Sequence, residues 1–570
     1  MRWKTLIKPP LHAPLPSWMI FPVIFAAVCA SHFTLLRLPY YWDEAGYYIP
    51  AAWDFFRTSA LIPFSTMTNA HPPLPSIYLA LWWKLFSFLP EITRLAVVVA
   101  AAFALTAVWR LALRLTGIPA VAFWTILLTA LYPVWFAQST LAHADIFAAA
   151  CTLWGLVYAL PARDALTRQA VRPWFAALWF ALAALSKETA IAIPLTLAVV
   201  SLIESHRAPG NARIRLWRES AWFAACVLPL AAWYGYHKIK TGFLFGNPEF
   251  LRYNAQANLA PFRIAAAFGY RILHLTAHMN LFVPVGIALA ALLLEPRMDR
   301  IQRSVISDLK SAEISGAAVT TPEEFPSLIA TGALVRIFAL LLINALFFSV
   351  LGGALLTRYL LPMYPLVLLL AVTTLYRRAP NWQALTSLSA LAFLLGLFVN
   401  PPYRFAPEDN LAYARVIRLH QAGIAQLEKC CNGSTVLTAW PVSDELLRPE
   451  LGYLAQPFAV DRIEDFTAAQ IARAAQEPEK YSAALVFSTK YDPPSLPLSL
   501  GPKGEAVDER YFGLHHDLPP QAIAAQLHGE LLWQQQDQGQ WIALIRFNRQ
   551  FDARAYIGGR KTQSGGKRGF

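Results

Sequence analysis

Tyr40-Tyr41-Trp42-Asp43-Glu44-Ala45-Gly46-Tyr47-Tyr48 sets two adjacent carboxylates among aromatic residues, directly after the first long apolar run of the chain. Trp and Tyr settle where a bilayer meets water. A carboxylate at that depth is costly unless it is hydrated, paired or put to use. One loop later comes Asn69-Ala70-His71-Pro72-Pro73-Leu74, a histidine held by two prolines before another apolar run. Read this way, Asp43 and Glu44 stand at the end of a membrane-crossing helix, and the rest of the chain tests that reading.

Composition agrees with it. Of 570 residues, 56% are hydrophobic and only 15% charged, whereas soluble domains run near ~45–50% and ~25%. Repeated apolar stretches approach the ~20 residues that cross a bilayer as a helix. The 19 Trp, 21 Tyr and 35 Phe suit many interface crossings. The fold class is a polytopic α-helical membrane protein. The net charge of +13 does not point to nucleic acid, because residues 401–570 hold 18 of the 48 Lys and Arg and 19 of the 35 Asp and Glu. The excess lies in the first 400 residues, where basic loops orient helices.

The basic start, Met1-Arg2-Trp3-Lys4 through Lys8, has no convincing cleavage site after it and reads as the cytoplasmic end of an uncleaved first helix. Span 1 (Trp18–Leu38) exits into a first external loop, 39–93, in which Leu74–Leu89 reads as an interfacial or shallow re-entrant helix. The further spans are Arg94–Leu115, Pro119–Ala137, one opened by His143-Ala144-Asp145, Pro173–Ser186, Thr189–Ile203, Ala221–Tyr236, Arg271–Leu294, Leu328–Val350, Tyr359–Tyr376 and Trp382–Val399. That makes about 11 transmembrane helices at the usual length of a crossing. In this register the Arg-rich loops (Arg110 and Arg114, Arg163 to Arg172, Arg207 to Arg218, Arg297 to Lys310, Arg377-Arg378) fall on the cytoplasmic side. Asp43, Glu44, Arg94, Asp145, Lys187, Glu188 and Arg358 all fall on the outer side. Scattered charges that converge on one face mark a site.

After Asn400-Pro401-Pro402 the composition becomes that of a soluble domain, 401–557, followed by a Gly- and Lys-rich tail, 558–570, expected to lack order. Thr435–Thr438 and Ala484–Ser488 read as buried strands, Asn410–Lys429 and Thr467–Gln476 as helices, giving an α/β or α+β domain outside the membrane. Asn432-Gly433-Ser434 is a formal sequon that reads as a turn. Cys29, Cys151 and Cys226 lie in apolar spans as small core residues. Cys430-Cys431 has no metal-site spacing, and a vicinal disulfide is the less expected alternative to free thiols.

Acidic groups beside basic ones at a membrane face suit a substrate with a lipid tail, a phosphate and an attacking hydroxyl. Arg binds phosphate through its planar fork of donors. A carboxylate accepts the proton of an attacking hydroxyl, and fixed cations stabilise a phosphate leaving group best where water is scarce. Asp43-Glu44 with His71-Pro72-Pro73-Leu74 resembles the first external loop of the GT-C glycosyltransferases, in particular the protein O-mannosyltransferase and aminoarabinose-transferase branches. Arg94-Leu95, Ala142-His143-Ala144-Asp145, Leu182 to Glu188 and Thr357-Arg358-Tyr359-Leu360-Leu361-Pro362 extend the resemblance over about residues 18–400, domain 1–400.

The resemblance implies an inverting transferase at the outer face that uses a polyprenyl-phosphate-linked sugar. It implies Asp43 as catalytic general base with Glu44 supporting it, and Arg94, Lys187 and Arg358 at the donor phosphate. His71, Asp145, Glu188 and Tyr359 would meet sugar or acceptor. His71 leans toward the mannosyltransferase branch, where the aminoarabinose branch has Lys. Simpler roles exist: Arg94 and Arg358 as snorkelling anchors, Lys187-Glu188 as a helix-end pair, His71 as a turn former, and His143 as a structural residue. The partners expected are the donor, a lipid, glycan or protein acceptor, and membrane lipids. Localisation in a bacterial inner membrane is expected, with the site and C-terminal domain periplasmic. A divalent cation is compatible with the Asp43-Glu44 oxygens, but no metal or other cofactor is expected. The alternative class is a transporter or lipid flippase. That class places ionisable groups near mid-membrane on matched half-repeats, a pattern this sequence lacks.

Overall fold

The computed structural model describes residues 17–162, 171–255, 258–296, 328–493, 497–498 and 501–547. The expectations for the basic N-terminus, Arg163-Asp164 and Arg168, Arg297 to Lys310 and the tail 558–570 lie outside the described residues. Two compact units divide the chain, one of Met1–Arg418 with Tyr491–His515 and one of Leu419–Lys490 with His516–Phe570. Residues 491–515, expected in the soluble domain, thus pack with the helical unit instead.

The helical unit is built on Pro90–Thr116, 27 residues long. Its ends follow from its residues: Pro at the start where no amide partner is needed, Glu91 in the first turn, Arg114 in the last, and Gly117 closing it at φ 69°. Its alanines at 96, 100, 101, 102, 104 and 107 are buried, which lets the helices Ala144–Ala159 and Ser17–His32 approach closely.

Every expected span falls on helix. Among the described residues, Pro90–Thr116, Glu188–Arg207 and Thr331–Val350 are each long and apolar enough to cross a membrane, and five shorter apolar helices accompany them. Three spans are not the single rods expected. Arg271–Leu294 is a broken pair, Pro261–Asn280 and Phe282–Ala291, bent by 100°, with Met279 at φ 48° in the break. Pro119–Ala137 divides at Tyr132, because Pro133 has no amide to continue the ladder. Ala221–Tyr236 is divided between Gly210–Ala224 and Val227–Thr241.

The second unit holds a five-stranded sheet of β1 (Thr435–Ala439), β2 (Ala459–Ile463), β3 (Ala483–Phe487), β4 (Glu530–Asp537) and β5 (Gln540–Arg546), in the order β2-β1-β3-β5-β4. β1 pairs in parallel with β2 and β3. β5 is antiparallel to β3 and to β4. β1 and β3 are buried on both faces, and such strands read as continuous apolar runs. The edge strands β2 and β4 are half exposed and polar, so no run announces them. Gln538 and Gly539, both at positive φ, make the two-residue hairpin turn between β4 and β5. Cys430 and Cys431 form a vicinal disulfide where free thiols were the main expectation, and Gly433 at φ 81° makes the expected turn before β1.

Candidate active site

The loop after the first helix enters its site through Trp42, held at φ 47°, and a one-turn π-helix, Glu44–Tyr48. Such turns are rare and concentrate at functional sites. Within it the two carboxylates part. Glu44 points into the protein. Its Oε1 accepts from Arg94 Nη1 and from the Ala142 amide, both at 2.6 Å, and its Oε2 from Arg94 Nη2 at 2.9 Å and the Tyr41 amide at 2.8 Å. Arg94 also donates to the carbonyls of Thr140 and Pro39, each at 2.6 Å. Both side chains are 0% exposed.

Two expected residues are engaged otherwise than at the cluster. The terminal nitrogens of Arg94 are spent on Glu44 and two carbonyls. Glu44 supports Asp43 only at one remove, by clamping loop 39–48 and residues 140–142 to the helix Pro90–Thr116. A fork-to-fork pair of this kind is directional as well as strong, so the clamp fixes which way its neighbour Asp43 turns.

Asp43 accepts from Arg358 Nη2. Arg358, on the turn Thr357–Leu360, donates through Nη1 to both oxygens of Glu408 and brings Nε to 3.4 Å from Asp145 Oδ2. Lys187 donates from Nζ to Asp145 Oδ1 at 2.5 Å and sits 4.1 Å from the Tyr359 ring centre. Five expected residues, Asp43, Asp145, Lys187, Arg358 and Tyr359, therefore meet in one cluster. Its members differ in access: the Asp43 side chain is 33% exposed, that of Arg358 3% and that of Asp145 3%.

Glu408 is a member the sequence reading missed. It stands in Pro407–Asp409, beyond the last apolar span, where charge was assigned to the soluble domain. Asp409 beside it accepts from Thr357 Oγ1 and shares a 2.9 Å hydrogen bond with His278 Nε2, so this acidic pair fastens the Thr357-Arg358 turn. An acidic pair so soon after a span end was the available signal.

Burial pushes the Glu408 carboxyl up to about 8; Arg358 pulls it back, while Asp43, Asp409 and Asp145 push further up. A carboxyl raised in the folded state holds a proton there that the unfolded chain has released, so its contribution to stability falls as pH rises from its ordinary value of 4.5 to about 8. Glu408→Gln removes that titration. Thermal melts of the variant between pH 5 and 9 are expected to decline less with pH than those of the wild type.

His71 and Glu188 form a second, adjoining pair, Nδ1 to Oε2 at 3.0 Å. The rings of Tyr47, Tyr48 and Phe250 surround His71 at 5.1, 5.9 and 5.4 Å. Tyr48 joins the two groups, feeling the charges of Asp145, Arg358, Asp43 and Glu188. His143 is buried, its Nδ1 2.9 Å from Gln138 Oε1. A cavity of ≈ 20 Å³ opens beside Lys187, Arg358 and Tyr359, walled by Ala148, Ile193 and Phe348, room for about one water. Among the described residues no three His, Cys, Asp or Glu stand together as metal ligands.

An acidic residue within reach of solvent, two cations behind it and an aromatic wall beside it suit transfer of a group from a phosphate leaving group to a hydroxyl. Residues 70–233 match the family described as dolichyl-phosphate-mannose-protein mannosyltransferase. ArnT from Cupriavidus metallidurans shares the fold, in its apo state at 13% identity and bound to undecaprenyl phosphate at 14%, both with TM-score 0.50. The alignments cover 93% and 92% of this chain and 98% of ArnT. The archaeal oligosaccharyltransferase AglB from Archaeoglobus fulgidus aligns at 12% identity, over 82% of this chain and 69% of AglB, with TM-score 0.43. No curated protein matches by sequence.

The chain thus has the fold of ArnT, and its residues 70–233 are mannosyltransferase-like.

Proposed function

We propose that this chain transfers a sugar from a polyprenyl-phosphate-linked donor to an acceptor hydroxyl at the outer face of a bacterial inner membrane, with inversion at the sugar carbon. The observation that carries the reading is the divided cluster: Arg358 and Lys187, buried and held by carboxylates, behind an Asp43 that is a third exposed. The donor phosphate takes the place of carboxylate oxygens at Lys187 and Arg358, whose charge then stabilises the leaving lipid phosphate. Asp43, released from Arg358, accepts the proton of the attacking hydroxyl. His71, Glu188, Asp145 and Tyr359 line the sugar and acceptor side, where Tyr47, Tyr48 and Phe250 offer faces to pack on.

The helical unit, Glu408 included, carries the chemistry, and the sheet-bearing unit serves the acceptor on the periplasmic side. The acceptor is a lipid, glycan or protein, and no metal or other cofactor takes part. Two facts support the donor class and a third the outer face. The matched family is described by its dolichyl-phosphate-mannose donor. ArnT, of the same fold, has been crystallised with undecaprenyl phosphate. Arg110, Arg114, Arg172, Arg377 and Arg378 also lie at the span ends opposite to the cluster in the orienting register.

The test supplies polyprenyl-phosphate-mannose and other polyprenyl-phosphate sugars to the protein in lipid vesicles with an acceptor-rich membrane extract. Release of polyprenyl phosphate from at least one donor is expected. No release from any donor would overturn the reading.

A further inference from the structure

The turn that presents Arg358 and Tyr359 is held by a helix that contributes nothing to the cluster itself. On Pro261–Thr276 the residues Arg263, Ala267, Arg271 and Leu275 are buried, a spacing of four that places them on one face. Arg271 is fully buried, and among the described residues its partners are carbonyls, a histidine and ring faces instead of a carboxylate. Its Nη1 donates to Leu356 O at 2.7 Å and its Nε to Phe348 O at 3.3 Å. Arg263 donates to the carbonyls of Ser349, Gly352 and Gly353 at 3.4, 3.2 and 3.1 Å.

Those carbonyls belong to the C-terminus of the helix Thr331–Val350 and to the strand of chain that continues into Thr357. The last carbonyls of a helix lack partners and carry the negative end of its dipole. Two guanidinium groups there offset their own desolvation by satisfying them. Asn254 completes the grip, accepting from the Gly352 and Gly353 amides through its carbonyl and side chain at 2.9 and 3.3 Å. Gly352 stands at φ 96°, and a Cβ there would lie 3.0 Å from the Tyr359 ring. Arg271 also lies 5.7 Å from that ring centre, and Phe348 stacks on the ring at 5.4 Å.

We propose that Arg271, with Arg263, is a positioning residue of this site: it fixes segment 348–356 and thereby the places of Arg358, Tyr359 and Lys187. Arg263 extends the same hold to the helix Gly501–Phe512, donating to Tyr511 O at 3.2 Å, while Tyr270 donates to Asp508 at 3.0 Å. The proposal rests on the function proposed above for its effect on turnover, and on geometry alone for its effect on the segment.

Its test therefore reads both. Arg271→Met and Arg271→Lys in the full-length protein in lipid are compared with the wild type by hydrogen exchange and by donor kinetics. Faster exchange in 348–361 is expected for both variants, larger for Met, with the helix Pro90–Thr116 unchanged. A loss of about 10²-fold in kcat/KM is expected for Met, the cost of a misplacement near 1 Å, carried by KM for the donor and partly recovered in the Lys variant. Unchanged exchange in 348–361 for both variants would overturn the proposal whatever the activity. Faster exchange in a protein that turns over no donor would instead overturn the proposed function and leave the positioning role standing. Should Arg271→Met not fold, Gly352→Ala reaches the same segment from its own backbone and is expected to speed its exchange.

Discussion

Asp43→Asn abolishes most turnover while leaving donor binding in place. The expected loss is about 10²–10⁴-fold in release of polyprenyl phosphate, the range for removing a positioned general base. Asn keeps the size of the side chain and a hydrogen-bond acceptor for Arg358 Nη2, so the cluster stays assembled. What is lost is the proton acceptor. Affinity for the donor, measured by a fluorescent polyprenyl-phosphate analogue, is expected to stay within a few-fold, because Lys187 and Arg358 are untouched. Equal turnover by both proteins would remove Asp43 from the chemistry. A parallel collapse of binding and turnover would give it a binding role.

The second large effect is on the protein itself. Arg94 and Glu44 are 0% exposed, and removing one partner leaves the other charged, buried and unpaired, at a cost of about 3–5 kcal/mol. Arg94→Met or Glu44→Gln is expected to lower the melting temperature in detergent by several degrees and to loosen loop 39–48. The double variant Arg94→Met with Glu44→Leu, which removes both charges, is expected to recover part of the loss. If Arg94 instead met the donor phosphate, Arg94→Met would weaken donor binding at an unchanged melting temperature.

The pair shows where sequence reading stops. Apolar runs located the helices because a membrane-crossing segment must satisfy its own backbone, and Pro173–Ser186 was legible to the residue. The bend at Met279 was not, because the run Arg271–Leu294 stays apolar through it and only the backbone turns. In the site, adjacency in sequence suggested that Asp43 and Glu44 act together, yet successive residues on a helical turn point apart. One meets solvent and Arg358, the other Arg94. Likewise, a charge at a span end marks either a ligand or a strut, and what separates Arg94 from Arg358 is the carboxylate each holds, a fully buried Glu44 for the one and a third-exposed Asp43 for the other. Glu408 was hidden because it belongs to the site through the fold, across 50 residues from Arg358. In the sheet-bearing unit the central strands β1 and β3 were legible as apolar runs, whereas the polar edge strands β2 and β4, and the buried β5 with them, were not.

The proposed transfer is a single displacement, in which the acceptor hydroxyl deprotonated by Asp43 attacks the sugar carbon opposite the phosphate. The measurement that meets it most directly is the anomeric configuration of the product by NMR, from a donor of known configuration, with wild type and Asp43→Asn side by side. Inverted product from the wild type and almost none from the variant is predicted. Retained configuration would require two displacements through a covalent sugar intermediate, and would contradict Asp43 as the base.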